Sequence, residues 1–204
     1  LHGRPVGVVG LGDVGLAFAE RAAAFGTVVR GVARAGRAAD VRRRIAAIGM
    51  ELVADLPTLA ERSEVLSFHV PLTDATRDLV DADLLAHVQP GAVILNTSRG
   101  EIVDEAALIE AMDAKDVRAG VDVYRGEPAT AEATFASALA RHPNVYGTHH
   151  IGASTRQAQE AIADEVLMIL DAFTEGETRN CVNLDLLREA GAAVRTTGGD
   201  GGPA

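Results

Sequence analysis

Short apolar runs alternate with longer amphipathic segments along most of this chain. Val6 to Val9 is a run of small β-branched residues, which is typical of a strand buried on both faces. From Val14 to Phe25 apolar residues recur mostly at three- and four-residue intervals, which predicts a helix that Gly26 ends. The same order then repeats. Further strands are predicted at 27–32, 50–54, 64–70, 92–97, 117–124 and 144–148, and further helices at 55–63, 81–88 and 104–113.

This alternation predicts an α/β fold, a doubly wound parallel sheet of about seven strands. We expect one domain over residues 1–183, because neither a linker nor a repeat interrupts the pattern. A long helix is predicted from Ser154, which forms a capping box with Gln157. The segment 184–204 ends in glycines and small polar residues and is predicted to be a disordered tail. The apolar stripe of the long helix runs through Ala158, Ile162, Val166, Ile169 or Leu170, and Phe173, and Gly176 ends the helix.

Composition and charge narrow the class of protein. Hydrophobic residues make up 48% of the chain but aromatic residues only 3%, so the core must be built from Ala, Val, Leu and Ile. A net charge of −10 argues against a nucleic-acid or anionic-membrane surface. The single cysteine, Cys181, cannot form an internal disulfide, which fits a reducing compartment. With no leader and no membrane-length apolar run in the sequence, we expect a soluble, cytoplasmic protein.

The sequence GLGDVG joins the first predicted strand to the first predicted helix. In such a turn Gly10 would allow the tight bend, Gly12 would let the backbone approach a pyrophosphate, and Gly15 would let the helix pack close to the strand. Asp13 and Val14 open the helix whose N-terminus would face the phosphates. The same turn can also be a corner without a ligand, but its strand–glycine–helix context favours a dinucleotide site.

The end of the second predicted strand lacks the acidic residue that usually binds an adenosine ribose with free hydroxyls. Ala33 occupies that place, Arg34 follows, and Arg37 is near. An arginine can pair with a 2′-phosphate in bidentate fashion, so we expect NADP to be preferred over NAD. The alternative is that Arg34 and Arg37 are solvated charges at the start of the next helix.

Polar residues cluster just after three later predicted strands, where ligands bind in such sheets. Together with neighbouring motifs they resemble the cofactor domain of the D-isomer-specific 2-hydroxyacid dehydrogenases, and HIGASTRQAQ is most similar to the phosphoglycerate dehydrogenase branch. The likeness covers residues 1 to about 183. It implies a Rossmann-type fold and an enzyme that transfers hydride between NAD(P)H and a 2-oxo acid or D-2-hydroxy acid. The motifs are HVPLT (69–73), QPGAVILNTSRGEIVDEAALIEAM (89–112), GVDVYRGEP (120–128), THHIGAST (148–155) and HIGASTRQAQ (150–159).

The resemblance implies three catalytic residues. Arg99 would bind the substrate carboxylate, His150 would exchange a proton with the substrate oxygen, and Glu127 would orient His150 and favour its charged form. It also implies that Asp122 accepts a hydrogen bond from the nicotinamide carboxamide. The other cofactor contacts that it implies, mostly through backbone groups, are Val70, Thr97, Ser98, Arg99, His150, Gly152 and Ala153.

Three further features of the sequence are explained without a catalytic or metal-binding role. Strand alternation would point His149 away from His150, so we expect His149 to be structural. His69 ends an apolar strand and is expected to be a buried histidine with its hydrogen bonds satisfied. The histidines and carboxylates include no close ligand pair of the H-x-x-x-H type, so we expect no metal.

The resemblance also implies a second, smaller domain that binds the substrate and lies mostly ahead of the cofactor domain. This chain begins at the first predicted strand, so we expect the cofactor domain only, with the substrate domain largely absent. The identity of the acid, the activity of the chain alone and a homodimeric state stay open. Two alternatives are a catalytically inactive nucleotide-binding fragment and a nucleotide-sensing, corepressor-like binding protein.

Overall fold

The computed structural model describes residues 1–128, 135–189 and 195–196. The chain forms two compact units, Leu1–His150 and Ile151–Ala204. The boundary lies earlier than the predicted domain end at residue 183, because the long C-terminal helix contacts the segment that follows it.

The first unit is built on a seven-stranded parallel sheet, which confirms the predicted doubly wound α/β fold. Its spatial order is β3-β2-β1-β4-β5-β6-β7, and all neighbouring strands run parallel. The direction of winding reverses between β1 and β4, and ligands bind at the carboxyl ends of the strands beside such a reversal. The strands are β1 (Pro5–Val9), β2 (Val28–Val32), β3 (Glu51–Val53), β4 (Val65–Phe68), β5 (Val93–Asn96), β6 (Arg118–Val121) and β7 (Val145–Gly147).

Two apolar clusters hold the helices of the first unit against the sheet. The smaller cluster includes Val8, Leu16 and Ile45 and packs α1 and α2 on one face. The larger cluster includes Phe68 and Leu108 and packs α3, α4 and α5. Right-handed crossovers place these three helices on the opposite face, because the winding direction has reversed. The helices are α1 (Asp13–Ala24), α2 (Ala39–Ile48), α3 (Leu56–Glu61), α4 (Ala82–His87) and α5 (Glu105–Lys115).

The starts of α3, α4 and α5 follow from aspartate caps. The carboxylates of Asp55, Asp81 and Asp104 accept hydrogen bonds from backbone N–H groups in the first turns of the three helices. Such caps satisfy N–H groups that have no partner within the helix. The predicted helices 55–63, 81–88 and 104–113 therefore begin within two residues of the observed ones.

The second unit starts with a long helix whose predicted cap is wrong by one residue. Thr155, not Ser154, is the N-cap, and its hydroxyl accepts from Ala158 N at 3.2 Å. Adjacent hydroxyl residues have the same capping chemistry, so the sequence could not choose between them. The elements are α6 (Arg156–Thr174), β8 (Glu177–Thr178), α7 (Leu184–Glu189) and β9 (Arg195–Thr196), and β8 pairs with β9.

The apolar stripe of α6 is largely exposed, since Ile162 is 56% and Phe173 is 77% accessible. Apolar periodicity identifies an amphipathic helix but not the surface that covers it. Residues Leu184–Glu189, predicted as part of a disordered tail, form α7. The remainder of that tail lies outside the described residues, apart from β9. Of the helices in the described ranges, none is long and apolar enough to span a membrane.

Candidate cofactor and active site

The three glycines of GLGDVG differ in what surrounds them. Gly10 has a φ of 92°, and a Cβ there would lie 2.4 Å from the carbonyl oxygen of His69. A Cβ on Gly15 would lie 1.8 Å from the carbonyl oxygen of Gly10. A Cβ on Gly12 would meet nothing within 4 Å. The protein's own packing therefore requires Gly10 and Gly15, whereas Gly12 borders open space.

That open space faces the N-terminus of α1 and fits a pyrophosphate. Gly12 is the N-cap and provides no side-chain acceptor, unlike the aspartates that cap α3, α4 and α5. Unpaired N–H groups and the helix dipole attract an anion at such a site. Asp13 begins the helix, and its exposed carboxylate pairs with Arg44 Nη1 at 3.3 Å, which offsets its negative charge. The residues present therefore suit a dinucleotide.

A cavity of about 450 Å³ lies between α1 and the carboxyl ends of β4 and β5. It brings together five of the residues that the sequence predicted to contact the cofactor or substrate. The lining consists of Val14, Val70, Thr97, Ser98 and Arg99, with His69, Pro71 and Leu72.

The loop after β5 holds Arg99 through Asn96, a residue that sequence reasoning missed. Asn96 is 1% exposed, and its side chain accepts from Ser98 N at 3.0 Å and donates to the carbonyl oxygen of Arg99 at 2.9 Å. Ser98 Oγ donates to the carbonyl oxygen of Phe68 at 2.7 Å, which ties the loop to β4. The Arg99 side chain is exposed and is the cation of this loop. The sequence signal that could have identified Asn96 is its position as an amide residue at the end of the buried strand β5.

His150 and Glu127 form a direct pair. Nδ1 of His150 lies 2.5 Å from Oε1 of Glu127, and Oε2 of Glu127 accepts from Tyr124 N at 3.3 Å. A carboxylate on Nδ1 fixes the ring orientation and leaves Nε2 for a substrate. The expectation that His149 and His150 alternate along a strand is wrong, because β7 ends at Gly147 and His150 has a φ of 59°. Both histidine side chains are exposed.

The Arg99 loop and the Glu127 turn are in backbone contact. A Cβ on Gly100 would lie 2.0 Å from the carbonyl carbon of Tyr124, so only glycine allows this approach. Arg125 adds a clamp, since its guanidinium bonds to the Asp78 carboxylate and donates to the carbonyl oxygen of Val103 at 2.9 Å. The Arg99 loop and the Glu127 turn are thus fixed against each other.

A second cavity of about 240 Å³ contains Asp122, Thr148 and Thr97 at the ends of β6, β7 and β5. Asp122 is 5% exposed, and Thr148 Oγ1 donates to its Oδ1 at 2.5 Å. Thr148 was not among the predicted site residues. Its pairing with Asp122 depends on which strands are neighbours, which the motif alone does not state.

His69 lines both cavities, and the prediction that its hydrogen bonds are satisfied is only half right. Nε2 lies 2.9 Å from Ser67 Oγ, but Nδ1 is buried and has no partner among the described residues. The ring packs against Phe18 with centroids 5.0 Å apart. Burial lowers the pKa of His69. The side chain is therefore a neutral imidazole at neutral pH.

Two arginines follow β2, at the place of the missing acidic residue. Arg34 is exposed, and Arg37 Nη2 donates to the carbonyl oxygen of Val32 at 2.7 Å. Burial and, second, the charge of Arg34 lower the pKa of Arg37, so the two guanidinium groups are close enough to repel. A concentration of positive charge at this strand end suits an anion. Gly152 and Ala153 lie in the turn before α6, in the second unit, and their contact with a cofactor stays a prediction.

Comparisons with known proteins agree with this geometry. The family model described as D-isomer specific 2-hydroxyacid dehydrogenase, NAD binding domain, matches residues 1–152. D-3-phosphoglycerate dehydrogenase of Mycobacterium tuberculosis is 41% identical over 178 residues, which cover 87% of this chain and 32% of that protein. Glyoxylate reductase of Thermococcus litoralis is 38% identical over 189 residues, which cover 92% of this chain and 54% of that protein.

Among solved structures, the holo form of D-mandelate dehydrogenase from Rhodotorula graminis matches with a TM-score of 0.75 and 30% identity, over 84% of this chain and 48% of that one. The chain thus spans from about a third to about half of the length of these relatives. The resemblance inferred from the motifs is confirmed. The chain belongs to the D-isomer-specific 2-hydroxyacid dehydrogenase family, and its first unit is the NAD-binding domain of that family.

Proposed function

We propose that the protein carrying this chain transfers hydride between NAD(P)H and a 2-oxo acid or D-2-hydroxy acid. The observation that carries the proposal is the His150–Glu127 pair, at 2.5 Å, on a turn that is fixed against the Arg99 loop. The bound dinucleotide would supply or accept the hydride. The residues of this chain would bind the acid, orient it and move the proton.

Arg99 is proposed to bind the substrate carboxylate. A guanidinium offers two parallel N–H donors that match a planar carboxylate. The side chain is exposed into the larger cavity, and Asn96 and Ser98 fix its backbone. Rigid support of this kind holds the carbonyl of the acid in one orientation, which lowers the entropic cost of reaction.

His150 is proposed as the general acid and base, with Glu127 as its orienting partner. Reduction of a carbonyl group needs a proton on the oxygen, and an imidazolium supplies it near neutral pH. The Glu127 carboxylate on Nδ1 would fix the ring orientation and leave Nε2 for the substrate oxygen. In the oxidation direction the neutral imidazole accepts the same proton.

The proposed cofactor contacts follow the carboxyl ends of the strands. The turn and helix start formed by Gly10, Gly12, Asp13, Val14 and Gly15 are proposed to hold the pyrophosphate, in the open space beside Gly12. The remaining proposed contacts, on the nicotinamide side, are Val70, Thr97, Ser98, Arg99, Asp122, His150, Gly152 and Ala153.

NADP is the proposed preferred cofactor, because Arg34 and Arg37 concentrate positive charge after β2. Arg34→Ala should weaken NADPH binding about tenfold or more, since a charge-assisted bond contributes about 1.5–3 kcal/mol, and should barely change NADH binding. Arg43→Ala, in the same arginine-rich stretch, is the matched control. Fluorescence titration measures both dissociation constants, and equal NADH and NADPH affinities in the wild type would refute the preference.

The proposed activity is tested by oxidation of NADPH and NADH with glyoxylate and hydroxypyruvate as acceptors. The assay uses this chain and a fusion that adds the remaining part of the T. litoralis glyoxylate reductase. Arg99→Ala should raise the KM for the acid about a hundredfold, because a bidentate ion pair is lost, with little change in dinucleotide affinity. Arg118 is the first residue of β6 and lies away from the carboxyl ends of the strands, so Arg118→Ala should leave the KM for the acid unchanged. Tight dinucleotide binding without turnover of any 2-oxo acid would contradict the proposal.

A further inference from the structure

A buried hydrogen bond joins Thr148 to Asp122. The hydroxyl Oγ1 donates to Oδ1 at 2.5 Å, and Asp122 is only 5% exposed. A bond from a hydroxyl to a carboxylate is charge-assisted and about twice as strong as a neutral one. The Thr148 hydroxyl therefore restrains rotation of the Asp122 carboxylate.

The register of β6 and β7 builds this pair. Val121 lies beside Gly147 in the parallel ladder, so the next residues, Asp122 and Thr148, are neighbours as well. Thr148 N donates to the carbonyl oxygen of Val121 at 2.9 Å, and His150 N donates to that of Asp122 at 2.7 Å. The ladder thus continues past both strand ends and fixes the backbone on either side of the carboxylate.

The pair lies on the nicotinamide side of the cleft. In a doubly wound sheet the two halves of a dinucleotide bind on either side of the strand-order reversal. The glycine turn follows β1 and Arg34 follows β2, whereas Asp122 and Thr148 follow β6 and β7, beyond the reversal between β1 and β4. Both line the 240 Å³ cavity together with Thr97.

We propose that Thr148 is a positioning residue for the nicotinamide half of the cofactor and that it acts through Asp122. This inference rests on the proposed function. A carboxylate has about four lone-pair sites, so Asp122 can accept the Thr148 bond and a carboxamide N–H together. Loss of the hydroxyl removes this one restraint on the Asp122 carboxylate, which weakens recognition of the nicotinamide half only.

Thr148→Val tests the proposal, because valine keeps the shape of threonine without the hydroxyl. Dissociation constants are measured on this chain for NADPH and 2′,5′-ADP, and for NADH and ADP. The two mononucleotides contain the adenosine half alone. Thr148→Val should weaken both dinucleotides about tenfold and change the mononucleotides by less than about twofold. Thr148→Ser, which restores the hydroxyl, should bind both dinucleotides nearly as the wild type does.

Two controls separate positioning from a general loss of structure. Thr27 Oγ1 donates to the carbonyl oxygen of Ala22 at 2.8 Å, just before the amino-terminal end of β2. Thr27→Val therefore removes a threonine hydroxyl bond away from the carboxyl ends of the strands. It should leave all four dissociation constants unchanged. In an Asp122→Ala background, Thr148→Val should add less than about twofold, because coupled residues are not additive. Thr148→Ala replaces the valine variant if circular dichroism shows that the latter does not fold.

The outcomes separate this inference from the proposed function. Weakening confined to the dinucleotides supports it. Equal weakening of dinucleotides and mononucleotides, unchanged affinity in a folded variant, or a full additional loss in the Asp122→Ala background overturns it and leaves the proposed cofactor site standing. If the wild type binds neither dinucleotide, both the proposed function and this inference are wrong.

Discussion

Replacing Gly12 by valine should weaken dinucleotide binding roughly a hundredfold while the fold survives. Gly12 has φ −83° and ψ −166°, an extended conformation that any residue adopts, and a Cβ there meets nothing within 4 Å. We expect the free energy of unfolding to fall by about 1 kcal/mol or less, the difference between glycine and an apolar residue at an N-cap. The valine methyl groups would fill the space in front of α1. Blocking two N–H bonds to phosphate, each contributing about 1.5 kcal/mol, should weaken binding roughly a hundredfold.

Gly15→Ala is the informative contrast, because its Cβ would lie 1.8 Å from the carbonyl oxygen of Gly10. That overlap involves backbone, so the helix must shift, and we expect a loss of about 1–3 kcal/mol or more in unfolding free energy. Urea unfolding measures stability in both variants, and NADPH fluorescence titration measures affinity. Wild-type affinity in Gly12→Val would refute the reading of the open space as the pyrophosphate site. Strong destabilisation of Gly12→Val would show that its surroundings are not open.

Two predictions concern stability. Because burial lowers the pKa of His69, the unfolded chain binds a proton there at a higher pH than the folded chain, so stability is full above about pH 6.5 and falls below it. His69→Gln should therefore lose less stability than the wild type between about pH 6.5 and pH 5 in urea unfolding, and parallel curves would contradict this. Lys115 Nζ donates to three carbonyl oxygens at the end of α4, at 2.7 to 3.3 Å. Lys115→Met should lower the free energy of unfolding by about 1–2 kcal/mol in the same assay. The control Arg156→Met removes a 3.9 Å surface ion pair with Glu160 and should cost less than about 0.5 kcal/mol. Equal losses in the two variants would refute a cap by Lys115.

The elements of the first unit could be predicted because their signals are local. Apolar runs mark the strands, and Asp55, Asp81 and Asp104 mark the helix starts within a few residues of sequence. The second unit was harder to predict for the opposite reason. The exposure of Ile162 on α6 depends on what else packs there, and helical periodicity contains no such information.

The site shows the same division between local and long-range signals. Motifs predicted Arg99, Glu127 and His150, and the structure pairs Glu127 with His150. Their catalytic roles stay a prediction. The Asp122–Thr148 bond joins residues 26 apart and follows from the register of two parallel strands, which no single motif states. The left-handed backbone of His150 also escaped a rule based on strand alternation.

The central claim is that His150, oriented by Glu127, exchanges the proton during reduction of a 2-oxo acid. Its most direct test is the kcat of the glyoxylate-reducing fusion with His150→Ala or His149→Ala, with dinucleotide affinity measured alongside. His150→Ala should lower kcat about 10²- to 10⁴-fold at unchanged dinucleotide affinity, the usual contribution of a positioned acid, and His149→Ala should change it by no more than about threefold. Loss of turnover in His149→Ala with retention in His150→Ala would contradict the account.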